Sequence, residues 1–167
     1  MLDVGCGCGV PVAQDLSDAG HAVTGIDISG VQIERARRLV PAGTFVAADI
    51  TQYPLRSSCL DAVVALYSLI HVPVALQPAV IEAVANALVD GGVLLATLGR
   101  EEWTGSDTDW LGGGAEMWWS QADHQTYRRW LQTAGFAITA SAYVPEGAAG
   151  HALFWGRRRS RCPGRPP

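Results

Sequence analysis

Short apolar runs alternate with amphipathic stretches along most of this chain. We predict strands at 1–4, 22–26, 44–47, 60–66, 93–98, 136–144 and 152–156, where apolar residues run together. Helical spacing of apolar residues predicts helices at about 11–19, 31–39, 74–88 and 120–135. In the last of these, Ser120-Gln121-Ala122-Asp123 resembles a capping box, so we expect the helix to start there and end at Gly135.

This alternation of strands and helices is typical of an α/β protein with a mostly parallel sheet. We predict a Rossmann-like, doubly wound fold with a mostly parallel seven-stranded sheet, an antiparallel C-terminal strand, and helices on both faces. In such sheets a ligand binds at the carboxyl ends of the strands, where the strand order reverses.

The composition is that of a globular domain, since 49% of the residues are hydrophobic and 17% are charged. No apolar run approaches the ~20 residues of a membrane helix, and no secretory leader precedes Asp3, so we predict a cytoplasmic protein without a membrane partner. All twelve basic residues are arginines, and five lie in the last eleven positions. We therefore predict a domain at 1–156 and a basic, disordered tail at 157–167. Residues 1–156 carry more acidic than basic side chains, which argues against a nucleic-acid partner.

A glycine-rich turn follows the first predicted strand. Gly5, Gly7 and Gly9 remove side chains, so backbone amides in this turn can face a ligand. Asp27 ends the second apolar run, eighteen residues after Gly9, and its two carboxylate oxygens can accept both hydroxyls of a ribose. A strand, glycine turn, helix, strand and terminal acid predict a site for an adenosine-containing cofactor.

The cysteines of this turn, Cys6 and Cys8, flank Gly7. No second pair of Cys or His residues has a suitable spacing to complete a metal site with them. We therefore interpret them as small residues beside a ligand and predict no metal.

Five segments together resemble the class I S-adenosylmethionine-dependent methyltransferases, over nearly the whole chain from Leu2 to about Gly156. The first, Asp3-Val4-Gly5-Cys6-Gly7-Cys8-Gly9, is similar to the D-x-G-x-G-x-G motif of that family. The others are Gly25–Ser29 at the second-strand acid, Ala48–Ile50 at the adenine-contacting acid, Asp61–Val64 followed by Tyr67–His71 at the fourth strand, and Leu88–Leu95, where Asp90 replaces a usual proline.

The resemblance implies a cofactor, S-adenosylmethionine, and its product, S-adenosylhomocysteine. It implies in-line transfer of the methyl group to an O, N or C atom of a small-molecule acceptor. The cofactor-binding residues that it implies are Asp3, Gly5, Cys6, Gly7, Asp27, Ile28, Asp49, Ile50 and Leu66. Asp3 corresponds to the family acid near the sulfonium and the amino group, and Asp49 and Ile50 to the residues around the adenine.

His71 is the candidate general base, because it lies about one turn beyond the fourth strand and could point into the cleft. The alternative is that His71 only caps its loop through a backbone hydrogen bond. His124 and His151 are expected to face solvent or line a loop.

The segment Glu101–Trp119 holds four of the six tryptophans, at 103, 110, 118 and 119. With Tyr67, three of these, Trp103, Trp118 and Trp119, are candidate acceptor-binding residues, since aromatic rings stack planar groups and contact cations. The alternative is a satellite core beneath a long loop.

Two other functions are weighed against a methyltransferase. A nicotinamide dinucleotide site has G-x-G-x-x-G, but Val10 occupies the position of its last glycine and no lysine is present for a Tyr/Lys pair. A non-catalytic or truncated methyltransferase-like domain would bind the cofactor without turnover.

Members of the family usually have helices before the first strand. We therefore expect a start inside the domain, and tighter cofactor binding by a chain extended upstream. The acceptor molecule and the oligomeric state stay open.

Overall fold

The computed structural model of the protein describes residues 1–110, 112–147 and 149–160. These residues form nine strands: β1 Leu2–Val4, β2 Thr24–Asp27, β3 Thr44–Ala47, β4 Leu60–Ala65, β5 Leu88–Leu98, β6 Trp103–Trp110, β7 Ala115–Gln121, β8 Phe136–Glu146 and β9 Ala149–Arg158. The α-helices are α1 Val12–Asp18, α2 Gly30–Leu39, α3 Gln77–Ala87 and α4 His124–Thr133, and a 3₁₀ helix spans Leu69–His71.

Seven of these strands form one sheet in the order β3-β2-β1-β4-β5-β9-β8. The pairs from β3 to β5 are parallel, and β9 is antiparallel to both β5 and β8. The predicted fold class is therefore confirmed, including the antiparallel C-terminal strand. The strand order reverses between β1 and β4, which places the expected ligand crevice at the carboxyl ends of these two strands.

The helices pack on the sheet through apolar stripes that the periodicity predicted. Helices α1 and α2 bury Ala13, Ile33 and Ala36 in one cluster with Phe45 of β3. Helices α3 and α4 contribute to a larger second cluster that contains the central strands. No helix in the described part of the chain is long and apolar enough to cross a membrane.

Helix α4 forms where predicted, but its cap differs from the predicted capping box. Ser120 lies buried in β7, opposite Thr104, and its hydroxyl accepts the N–H of Val74 at 3.0 Å. Asp123 is the N-cap instead, accepting the N–H of Thr126 at 2.9 Å. The serine hydroxyl is unavailable for capping because it bridges β7 to the loop before α3.

Strands β5, β8 and β9 extend beyond their predicted limits, and β8 continues to Glu146. Strand β5 begins at Leu88, which pairs with Leu60 of β4, and pairing resumes at Val93 after a shift in register. Gly91, with φ +79°, gives the backbone the conformation that this shift requires. Strand β9 continues to Arg158, whose guanidinium donates to the carbonyl of Ala134 at 3.0 Å. The first two residues of the predicted tail, 157 and 158, therefore belong to the sheet. Residues 161–167 lie outside the described residues.

The tryptophan-rich segment forms a two-stranded antiparallel sheet, β6 with β7. Its sequence carries no clean period of two, and no strands were predicted there. Trp103 and Trp118 are 46% and 38% exposed, so these two rings do not belong to a buried core. The side chain of Trp110, another of the predicted cluster, lies outside the described residues.

A buried glutamine joins this small sheet to the rest of the domain. The side-chain amide nitrogen of Gln77 lies 2.7 to 2.9 Å from the carbonyl oxygens of Leu69, Val72 and Ser120, which share its two hydrogens. Its side-chain oxygen accepts the hydroxyl of Tyr127 at 2.6 Å. One residue thus ties together the 3₁₀ helix, β7 and α4.

Replacing Gln77 by leucine is expected to lower the free energy of unfolding by about 2–4 kcal/mol, because buried carbonyls and a tyrosine hydroxyl lose their partner. Urea denaturation would measure this loss. The matched control is Gln132→Leu, since Gln132 is an exposed residue of α4. Equal stability of the two variants would show that the buried network contributes nothing.

Candidate cofactor and acceptor site

A cavity of about 500 Å³ opens at the carboxyl ends of β1, β2, β3 and β4. This is within the usual size of a small-molecule site, and it lies at the predicted switch in strand order. The predicted residues on its wall are Gly5, Gly7, Asp27, Ile28, Asp49, Ile50, Tyr67 and His71. Residues that the sequence did not single out for this wall include Gln32, Thr51, Ser68, Leu76 and Met117.

The glycine turn after β1 depends on backbone conformations that favour glycine. Gly5 and Gly7 have φ angles of +70° and +53°. A Cβ atom at Gly5 would also collide with the side chain of Ser68, at the end of β4. Glycine at position 5 therefore lets the turn lie against the β4 loop beside the cavity.

The amides of this turn do not face a ligand as the sequence predicted. The N–H groups of Gly5 and Cys6 both donate to the carbonyl of Ile26, at 2.7 and 3.0 Å, and that of Gly9 donates to Cys6. The N–H of Gly7 donates to Asp27. The prediction was wrong for these four groups, because three of them bond the turn to β2 and that of Gly9 closes the turn on Cys6.

Asp27 is held in a fixed orientation at the end of β2. One carboxylate oxygen accepts the N–H of Gly7 at 2.8 Å, and the other accepts the N–H of Ser29 at 2.8 Å. A carboxylate has about four acceptor positions, so each oxygen retains capacity for one more donor. This geometry suits a vicinal diol such as ribose, with one hydroxyl to each oxygen.

Asp49 and two isoleucines form the neighbouring wall. Thr51 donates its N–H and its hydroxyl to Asp49 at 2.8 and 2.7 Å. These hydrogen bonds lower the pKa of Asp49 below its usual value and keep it an ionised acceptor. Ile28, 77% exposed, and Ile50 present apolar surface beside it. A hydrogen-bond-accepting carboxylate between apolar side chains suits a flat nucleobase that carries an amino group.

Three of the predicted cofactor residues, Asp3, Cys6 and Leu66, are not among the described residues that line the cavity. Burial, followed by the charge of Asp27, raises the pKa of Asp3 to about 6. One carboxylate oxygen of Asp3 is buried with no hydrogen-bond partner among the described residues. A buried, unpartnered acid beside the glycine turn fits a nearby positive charge.

The thiol of Cys6 stays protonated, because burial and the charge of Asp3 raise its pKa to about 12. Such a thiol is neither a nucleophile nor a metal ligand at neutral pH. In the described residues no cluster of His, Cys, Asp and Glu side chains could hold a metal ion.

The raised pKa of Asp3 predicts how stability changes with pH. Between about pH 4 and 6 the folded protein keeps a proton that the unfolded chain has lost, so the free energy of unfolding falls across this window. Asp3→Asn is expected to remove this fall and to stabilise the protein at pH 7 by up to about 3 kcal/mol.

Urea denaturation at several pH values would measure the effect of Asp3. Asp61→Asn is the control, since Asp61 is an exposed residue of β4. If Asp3→Asn had the same pH profile as this control, the carboxyl group of Asp3 would not be the source of the effect.

His71 both lines the cavity and bonds to the backbone, so its position is compatible with either interpretation. Its Nδ1 lies 2.7 Å from the carbonyl oxygen of Trp118. A carbonyl can only accept, so Nδ1 carries the hydrogen, and in the neutral ring Nε2 is left as the acceptor. The β7 backbone thus selects the tautomer whose basic nitrogen is Nε2.

Tyr67 stands between the cofactor cavity and a second cavity of about 890 Å³. It is a non-glycine residue with φ +53°, a conformation uncommon for a bulky side chain. Its ring meets the ring of His151 edge-on, with centroids 5.4 Å apart. Burial, followed by Glu146, raises the pKa of Tyr67 to about 12, so its hydroxyl stays protonated.

The predicted tryptophans lie around the second cavity or contact His71. Trp103 and Trp119 line the second cavity. Trp119 also packs against the ring of His71 at 5.7 Å, and Trp118 supplies its carbonyl to the same histidine. None of the three lines the cofactor cavity as the structure describes it, where β7 contributes Met117 instead.

Two histidines expected to face solvent or line a loop make specific contacts. His151 is half-buried in β9, with Nδ1 3.3 Å from a carboxylate oxygen of Glu146. His124 stacks on Phe154 with ring centroids 4.8 Å apart. Both side chains are half-buried, and these contacts form because pairing of β9 with β5 and β8 brings together segments that are distant in the sequence.

Fold and site together define a nucleotide-binding α/β protein with an acid at the end of its second strand. A family model described as "Methyltransferase domain" matches residues 1–92, more than half of the chain. The chain therefore belongs to this methyltransferase family, and the predicted family resemblance is confirmed.

Several named relatives match parts of the chain. An O-methyltransferase of Pyrenophora dematioidea is 39% identical over 77 residues, which are 42% of this chain and 29% of that protein. A sterol 24-C-methyltransferase of Gibberella zeae is 32% identical over 113 residues, 64% of this chain and 28% of that protein. The chain thus matches less than a third of the length of these relatives.

Solved structures share the fold at lower identity. A SAM-dependent methyltransferase from Methanosarcina mazei superposes with a TM-score of 0.82 at 19% identity, covering 96% of this chain and 92% of the other. Magnesium protoporphyrin IX methyltransferase from Synechocystis, solved with bound SAM, has a TM-score of 0.73 at 23% identity, covering 94% of this chain and 68% of the other.

Proposed function

We propose that this chain is an S-adenosylmethionine-dependent methyltransferase domain acting on a small-molecule acceptor. The observation that carries the proposal is the carboxylate of Asp27, oriented by the amides of Gly7 and Ser29 on the wall of a cavity of about 500 Å³. Membership of the methyltransferase family supports the same cofactor. The domain extends to Arg158, where the last strand of the sheet ends.

Each part of the cofactor has a partner of suitable chemistry. Asp27 accepts the two ribose hydroxyls, and Asp49 accepts from the adenine amino group, with Ile28 and Ile50 against the ring. The buried carboxylate of Asp3 favours the positively charged end. Bound S-adenosylmethionine supplies a methyl group on a cationic sulfur, which leaves alignment, exclusion of water and proton removal to the protein.

His71 is the proposed general base. Its Nε2 is the acceptor nitrogen of the neutral ring, because Nδ1–H donates to the carbonyl of Trp118. In this role it takes the proton of an acceptor hydroxyl or protonated amine as the methyl group is transferred. The ring contacts of Trp119 with His71 support a fixed position for the imidazole.

Two observations favour a small molecule as the methyl acceptor over a macromolecule. The domain is acidic, which disfavours nucleic acid, and the relatives include enzymes for small molecules. The matched relatives include O-methyltransferases and sterol 24-C-methyltransferases. We propose an O, N or C atom of a small molecule as the acceptor for this chain.

A transfer assay tests the proposal. The full chain is incubated with S-adenosylmethionine and a library of small alcohols, phenols, amines and carbon acids, and S-adenosylhomocysteine is quantified. We expect product that depends on both protein and acceptor. Cofactor binding with no acceptor-dependent product across the library would support the alternative, a binding domain without turnover.

A further inference from the structure

The second cavity, of about 890 Å³, lies between the β6–β7 sheet and the ends of β8 and β9. Three aromatic side chains, Trp103, Trp119 and Tyr143, contribute to its wall. Trp103 and Trp119 lie with ring centroids 5.8 Å apart at an angle of 53°. The tilted pair presents aromatic surface to the cavity rather than closing it by stacking.

This cavity adjoins the cofactor cavity through one layer of side chains. Tyr67 lines the cofactor cavity and touches His151, which lines the second one. His71 lines the cofactor cavity and touches Trp119, which also lines the second. The two cavities are therefore neighbours, linked by the contacts of Tyr67 with His151 and of His71 with Trp119.

The charges around the second cavity are mainly negative. Glu101, Glu102, Asp107 and Glu146 contribute carboxylates to its lining, and Arg100 contributes a guanidinium. That guanidinium lies over the ring of Tyr143, 4.5 Å from its centroid. The wall thus already holds one cation on an aromatic face. Glu146 pairs with His151 of the same wall, whereas the carboxylates of Glu101, Glu102 and Asp107 favour a further cation.

We propose that this cavity binds a cationic amine group of the methyl acceptor, whose reacting atom extends past Tyr67 and His71 to the cofactor cavity. Aromatic faces attract ammonium groups, and the surrounding carboxylates add charge attraction, whereas a carboxylate or phosphate on the ligand would be repelled. The remaining aromatic surface suits an apolar body. This inference rests on the proposed function, because it assigns the acceptor class to a cavity beside the proposed cofactor site.

The test compares three probes of similar size on the full chain saturated with S-adenosylhomocysteine. Phenethylamine, which is cationic at pH 7, neutral 2-phenylethanol and anionic 3-phenylpropionate are each titrated, with tryptophan fluorescence as the readout. We expect phenethylamine to bind at least about tenfold more tightly than either other probe. Equal or tighter binding of the neutral or anionic probe, or no saturable binding of phenethylamine, would overturn the inference.

Charge variants locate the binding. Replacing both Glu101 and Glu102 by glutamine is expected to weaken phenethylamine binding about tenfold and to leave 2-phenylethanol unchanged. The matched control replaces Glu34 and Glu82, exposed residues of α2 and α3, by glutamine. An equal effect of the two double variants would refute binding in this cavity.

Cofactor binding is measured in the same preparations by calorimetry. If the protein binds no cofactor, the probes are titrated without S-adenosylhomocysteine. Selective binding of phenethylamine in that case would contradict the proposed function and leave the inference about the cavity standing. Cofactor binding with no selectivity for the amine contradicts only the inference about the acceptor.

Discussion

His71→Gln is expected to lower kcat for an acceptor that must lose a proton by about 10²–10⁴-fold, the usual contribution of a general base. The glutamine amide can still donate toward the carbonyl of Trp118, but it offers no basic nitrogen in place of Nε2. Affinity for S-adenosylmethionine is expected to stay within about twofold, because His71 acts on the acceptor. Initial rates at saturating cofactor and calorimetry measure the two quantities.

His21→Gln is the matched control, since His21 is exposed in the loop before β2. Its kcat is expected to equal that of the wild-type protein. If His71→Gln kept kcat within about threefold, the hydrogen bond to Trp118 would be the whole role of this histidine. A lowered melting temperature with unchanged kcat would likewise assign His71 a structural role alone.

Asp27→Asn is expected to weaken binding of S-adenosylmethionine by about 10²–10³-fold. Charge-assisted hydrogen bonds contribute about 1.5–3 kcal/mol each, and two are lost or weakened. The substitution also places a side-chain NH₂ group against the N–H of Gly7 or Ser29, both of which now donate to the carboxylate. The glycine turn therefore loses an anchor together with the ligand contact.

Asp18→Asn is the control for this charge change, because Asp18 is exposed at the end of α1. Calorimetric titration of both variants gives the comparison. Cofactor affinity for Asp27→Asn that equals the control would remove Asp27 from the site.

The sequence predicted the sheet and the cofactor side of the cleft because both depend on local pattern. Apolar runs and helical stripes placed the seven sheet strands and four helices to within a few residues. Asp27 could be found from its place at the end of a strand following a glycine turn. Its wall partners Ile28, Asp49 and Ile50 were implied by the family resemblance, and the ends of adjacent parallel strands bring them together.

The rest of the site depends on contacts between distant segments, which carry no local signal. The carbonyl of Trp118 sets the tautomer of His71, and Glu146 and His151 meet Tyr67 only after β9 inserts between β5 and β8. The role of Gln77 also could not be predicted, since its hydrogen-bond partners lie on the 3₁₀ helix, β7 and α4. The hydrogen bonds within the glycine turn were mispredicted because spacing does not reveal which amides the turn itself consumes.

Calorimetric titration of the folded full chain with S-adenosylmethionine tests most directly whether this domain binds the cofactor at Asp27. We predict saturable binding with about one cofactor per chain, displacement by S-adenosylhomocysteine, and a sharp loss of affinity in Asp27→Asn. A chain that unfolds cooperatively, and so is properly folded, yet shows no saturable binding of either compound would contradict the proposed cofactor site.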